Sequence, residues 1–98
     1  MNLEIRGVHY DVSDRTVEHI EKKVKKLEFA GDMIVDLLFK LERDKTGYII
    51  NVDINFRWGL SHHIKVTDHD LYDGIDKIVD KLKIKVTREK EKIQSHTD

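Results

Sequence analysis

The chain contains no cysteine and no proline, few aromatics, and no apolar run approaching the length of a membrane span. Without cysteine there is neither a disulfide frame nor a thiolate metal site, and nothing speaks against a reducing compartment. No Pro- or Ser-rich linker, internal repeat or low-complexity stretch divides the chain, so residues 1–94 are expected to form a single domain and 95–98 a loose tail. The opening Met-Asn-Leu-Glu-Ile lacks the basic region and apolar stretch of a targeting signal, which sets the expectation of a soluble cytoplasmic protein with no membrane partner. Ninety-eight residues support a modest core but not a core plus an internal catalytic cavity. Phosphate-cradling glycine loops, nucleophile elbows and triad signatures are all missing, so the sequence does not read as an enzyme and implies no cofactor. Six histidines invite a metal, but His62 and His63 are strand neighbours that point to opposite faces, and neither has a partner at zinc-motif spacing.

Net charge is nearly lacking too, at −1. That average conceals a segregation. Residues 77–92 carry seven Lys or Arg against Asp80, Glu89 and Glu91, a local balance of +4, which leaves −5 for the remainder. Field depends on the surface that meets a ligand, so a near-neutral protein can present a cationic face.

Those cations lie on a periodic segment. From Asp70 to Gln94, Leu71, Ile75, Ile78, Val79, Leu82, Val86 and Ile93 recur at three- and four-residue steps, the mark of a helix with one core face. Lys77, Lys81, Lys85, Arg88 and Lys92 share an arc of roughly 80° beside it, free of acids. Such a row is either an ordinary solvated flank or a surface for phosphates. Length favours the second reading: some 25 residues at ~1.5 Å span about 37 Å, against ~26 Å for a strand of about eight, so the last two turns are expected to overhang the sheet.

Upstream, Asn2–Arg6 alternates as a strand that Gly7 ends. Ser13 and Asp14 open a first helix whose stripe is Val17, Ile20, Val24 and Leu27 and which stops at Gly31. Its outer face carries Lys22, Lys23 and Lys26 with His19. Two clear strands follow, Met33–Glu42 with Val35, Leu37, Phe39 and Leu41 inward, and Tyr48–Arg57 with Tyr48, Ile50, Val52, Ile54 and Phe56 inward, joined by a hairpin over residues 43–47. His62–Thr67 makes a shorter strand, and Asp68 or Asp70 caps the long helix. The predicted architecture is α+β, in the order β-α-β-β-β-α: a four-stranded mixed sheet with two helices packed on one face. Asp70, Asp73, Asp76 and Asp80 read as acids offsetting the helix dipole. Tyr72 suits a core edge and, less readily, a platform for an RNA base, while Trp58, in a strand-to-strand turn beside Gly59, has an open role.

Taken together, Met-Asn-Leu-Glu-Ile-Arg-Gly at the start, Lys22-Lys23-Val24-Lys25-Lys26-Leu27, and the run Asp70-Leu71-Tyr72, Ile75-Asp76, Asp80-Lys81-Leu82 and Lys90-Glu91-Lys92 resemble the ribosome hibernation promoting factors and ribosome-associated translation inhibitors, also labelled sigma-factor modulation proteins. The resemblance covers nearly the whole chain. It implies a domain that binds the small ribosomal subunit and its rRNA, with basic helices lodged where mRNA and tRNA would sit. Its basic positions correspond here to Lys23, Lys26, Lys81, Arg88, Lys90 and Lys92, to which Lys22 is added from the first helix's outer face and Lys77 and Lys85 from helical spacing. Ile84 stands where the family commonly has arginine. The length resembles the short form, expected to be a monomer off the ribosome, with a separate ribosome modulation factor as a further partner. Two other readings stay open: a module for an acidic protein partner, and a general double-stranded-RNA-binding domain.

Overall fold

The computed structural model describes residues 1–95. Strand β1 (Asn2–Val8) is followed by helix α1 (Asp14–Val24), a 3₁₀ segment (Lys25–Ala30), strands β2 (Ile34–Asp44), β3 (Gly47–Phe56) and β4 (Ser61–Asp68), and helix α2 (Leu71–Ser95). The sheet runs β1-β2-β3-β4, with β1 parallel to β2 and the other pairs antiparallel. This is the predicted β-α-β-β-β-α order. Apolar side chains from alternate strand positions, among them Leu37, Phe39, Leu41, Ile50, Val52 and Ile54, meet the buried stripe of α2, Leu71, Ile75, Ile78, Val79, Leu82 and Val86.

Ser13 caps α1 through its Oγ, which accepts from the Thr16 N–H at 3.2 Å. The α-helix is shorter than predicted. From Val24 onward the chain tightens into the 3₁₀ segment, because Val24, Leu27 and Ala30 are all buried at three-residue intervals, the period of a 3₁₀ turn. Lys26 therefore sits on this segment and not on the α-helical wheel with Lys22 and Lys23.

Two strand assignments also shift. Gly7 does not end β1; it pairs with Leu41, and the strand continues to Val8. Its missing side chain serves a close approach, since a Cβ there would lie 1.7 Å from the Tyr10 carbonyl oxygen. Val35 does not face the core. A bulge between Ile34 and Asp36 leaves Val35 44% exposed and buries Ile34 in its place.

At the start of α2, Asp70 Oδ1 accepts from the Asp73 N–H at 3.0 Å and is the cap, while Asp68 Oδ1 accepts from the Asp70 N–H at 2.9 Å. At its far end the overhang is shorter than the predicted two turns, because Thr87, Glu89 and Lys90 remain packed, and Glu91, Lys92 and Ile93 are exposed. β2 has 11 residues and β3 has 10, and the 3₁₀ segment and the β3–β4 turn extend the platform beyond them. Val86 is fully buried and Glu89 is 4% exposed; Ile93 comes out at 38%. The helix continues through Ser95, so the predicted tail begins inside it, and residues 96–98 lie outside the described part of the chain.

Candidate nucleic-acid interface

The nine predicted cations divide between two flanks of α2. Lys77, Lys81, Lys85, Arg88 and Lys92 run along the flank that faces β4, where Lys77 and Lys81 border a groove of about 520 Å³ with Lys65, Val66, Thr67 and one acid, Asp80. Lys65 was not singled out by the sequence, because on a strand only alternation is visible and not which helix passes beside it. Lys81 and Arg88 are exposed and Lys85 is half-buried, and among the described residues none of the three makes an ion pair. Lys77 is already committed. Its Nζ donates to Asp68 Oδ2 at 2.5 Å, a bond that raises the lysine's pKa and, with the Asp70 N–H, holds the Asp68 carboxyl below its ordinary range.

The opposite flank meets α1 and is ionic. Asp76 Oδ1 hydrogen-bonds His19 Nε2 at 2.8 Å and lies 3.7 Å from Lys23 Nζ, and Asp80 Oδ1 lies 3.6 Å from Lys26 Nζ. The two aspartates thus join the helices as well as offsetting a dipole, and they partly neutralise Lys23 and Lys26. Tyr72 belongs to the same seam, half-buried with its ring 4.6 Å from that of His19, which is the core-edge reading. Lys90 points this way too: its Nζ donates to the Phe29 carbonyl at 3.4 Å and lies 5.4 Å from the Phe29 ring centre. Lys22 remains exposed. Ile84 projects into solvent at 55% exposure, on the crest between the flanks.

His62 and His63 do point to opposite faces. His62 Nε2 lies 3.5 Å from Glu89 Oε1 on the core side; His63 lies on the open face, its Nδ1 2.6 Å from Asp53 Oδ1 and its Nε2 2.9 Å from Asn51 Oδ1. Among the described residues no cluster of metal-ligating side chains forms, and no helix is long and apolar enough to cross a membrane.

Fold and geometry together define the class: a small α+β domain whose long helix carries exposed cations on one flank and an ionic seam on the other. The chain belongs to the family described as Sigma 54 modulation protein / S30EA ribosomal protein, which matches residues 3–94. It is 28% identical over 96 residues to the ribosome hibernation promoting factor of Salmonella typhimurium, covering 98% of this chain and all of that one. It is 31% identical to the ribosome hibernation promotion factor of Bacillus subtilis over 95% of this chain, which spans half of that relative's length. Among solved structures, a ribosomal subunit interface protein from Coxiella burnetii superposes with a TM-score of 0.85 at 21% identity over 93% of this chain and 99% of its own. The Thermus thermophilus Protein Y N-terminal domain gives 0.80 at 25% identity over 90% and 98%.

Proposed function

We propose that this protein is a ribosome hibernation factor, which binds the small ribosomal subunit through the cationic faces of its helices and stops translation by occupying the channel for mRNA and tRNA. It acts in the cytoplasm and without catalysis. The observation that carries this reading is the row Lys81, Lys85 and Arg88 on α2, cations without an ion-pair partner among the described residues, in a chain whose full-length relatives are named as hibernation factors. Phosphates, arrayed along the groove of an RNA helix, are the ligand that such a row fits, and binding of this kind reads shape and charge more than base sequence. Lys77 and Lys92, held by Asp68 and Glu89, frame the row at its ends, while Lys22, Lys23, Lys26 and Lys90 extend the cationic surface across the α1 side. A separate ribosome modulation factor remains a candidate second partner.

The test compares two charge reversals of equal size. Lys81→Glu with Arg88→Glu alters the proposed contact row; Arg43→Glu with Lys45→Glu alters the β2–β3 hairpin. Each lost phosphate contact costs about 1–3 kcal/mol and reversal adds repulsion, so the helix pair should weaken co-sedimentation with small subunits on the order of a hundredfold. The hairpin pair should leave it nearly unchanged, at most losing the ~0.5–1 kcal/mol of stability from the Arg43 contact with the Tyr48 ring. Equal losses in both pairs, or wild-type protein left in the supernatant at low salt, would sink the proposal.

A further inference from the structure

A second feature lies where the end of α2 passes the β3–β4 turn. A groove of about 630 Å³ opens there, within the ~300–1,000 Å³ range of small-ligand sites. Its apolar wall is Met33, Trp58 and Ile93, and its cations are Arg57, Lys90 and Lys92, against Asp32 and a buried Glu89. Trp58 is 43% exposed, yet it is not loose. Its ring stacks on Phe56 with centres 5.1 Å apart and planes 18° from parallel. The turn beneath it is fixed by hydrogen bonds from Phe56 N to Leu60 O at 2.8 Å, Gly59 N to Phe56 O at 3.0 Å and Arg57 N to Met33 O at 2.9 Å. One aromatic face is thus backed by a second ring while the residue keeps 43% of its surface exposed, an oriented platform whose ordering cost is met in the unbound protein.

We infer that this groove receives one unpaired nucleotide of rRNA, its base stacked on Trp58 and its phosphate held by Arg57 and Lys92. Three observations select this occupant. The cations outnumber the acids around a flat aromatic surface, the pairing of features that single-stranded nucleic acid requires. Lys92 lies both in the groove and on the proposed phosphate row, so an RNA backbone following α2 arrives at Trp58. Finally, the Glu89 carboxylate is buried at the groove with Lys92 3.2 Å away and His62 3.5 Å away, while His62 Nε2 is buried without a hydrogen-bond partner. The Glu89 carboxylate, in the groove wall, offers an acceptor to the polar edge of a base, with the buried His62 ring behind it. A hydrophobic peptide would find only three apolar side chains and a charged rim.

The inference rests on the ribosome reading, and its test separates the two. Trp58 is the single tryptophan of the chain, so its emission reports the groove directly. Titration with purified small subunits should quench it at least twofold as protein co-sediments, and single-stranded oligoadenylate at low salt should quench it more weakly. Trp58→Leu should weaken subunit binding on the order of tenfold, and Trp58→Phe, which keeps a ring, should recover most of that loss; matching circular dichroism and melting curves verify that both fold. Unchanged emission with the protein fully sedimented overturns the inference and leaves the ribosome reading standing. A blue shift without quenching on subunits, combined with no response to oligoadenylate, means a protein segment fills the groove and likewise overturns it. Protein that fails to sediment overturns both.

Discussion

Asp44 and Asp68 hold the two ends of a single corner. Asp44 Oδ1 accepts from the Thr46 N–H at 2.8 Å, the Thr46 hydroxyl at 3.0 Å and the Gly47 N–H at 2.9 Å, bonds that pull its carboxyl below the ordinary range, as Lys77 does for Asp68. A carboxylate with a depressed folded pKa adds stability that is complete above its unfolded value, about 3.9, and fades as pH falls through the folded one. The urea midpoint should therefore drop as pH is lowered below about 4, and Asp44→Asn with Asp68→Asn should lower the midpoint at neutral pH while flattening that drop. An unaltered acid profile in the double variant would show that these bonds contribute nothing to folding. Gly7 gives a steric counterpart. Gly7→Ala must displace the Tyr10 carbonyl and should cost about 1–3 kcal/mol as overpacking, which thermal unfolding measures. None of this was legible in the sequence. Gly7 reads as a strand terminator because the return of Tyr10 over it depends on His9 adopting a φ of 50°, which no local pattern announces. Alternation places Val35 inward for a related reason, since it presumes an unbroken register and a bulge resets it.

Among the elements, α2 was the most legible and its neighbours the least. Seven apolar positions at helical spacing identified its buried stripe, and six of them are buried, Ile93 being the exception. The spacing could not reveal what stands against each remaining flank. Asp76 and Asp80 look like dipole acids from sequence alone, yet the approach of α1 turns them into partners of His19, Lys23 and Lys26. This ladder restrains the very cations assigned to the interface. Exposed pairs of this sort contribute ~0–1 kcal/mol, so Asp76→Asn with Asp80→Asn should hardly move the melting temperature. It should nonetheless tighten ribosome binding several-fold at low salt and steepen the log–log salt slope by roughly 1.5, because two released cations each neutralise about one more phosphate. Binding that weakens in this variant would assign the aspartates a direct contact with the partner. The overhang is shorter than spacing predicts because β2 and β3 run 11 and 10 residues and not about eight, which leaves only the turn that begins at Glu91 projecting.

The molecule as a whole measures 50 × 21 × 20 Å, a shape imposed by one long helix lying along long strands. Its topology was legible because alternation, one crossover and one face for both helices leave few arrangements open. The placement of β1 has a kinetic corollary. β1 pairs with β2 alone, joining parts of the chain distant in sequence, and its inward Leu3 and Ile5 stay half-buried, whereas β3 is flanked on both sides and its inward Ile50, Val52 and Ile54 are fully buried. Opening should start at β1. Its amide hydrogens should exchange with deuterium well before those of β3, which should exchange only with global unfolding. Equal protection of the two strands would contradict this order. In the partly opened form the β2–β4 meander stays clamped under α2, so the cation row outlasts the first step of unfolding, and degradation beginning at the peeled strand would remove the α1 cations Lys22 and Lys23 before it reached the row on α2.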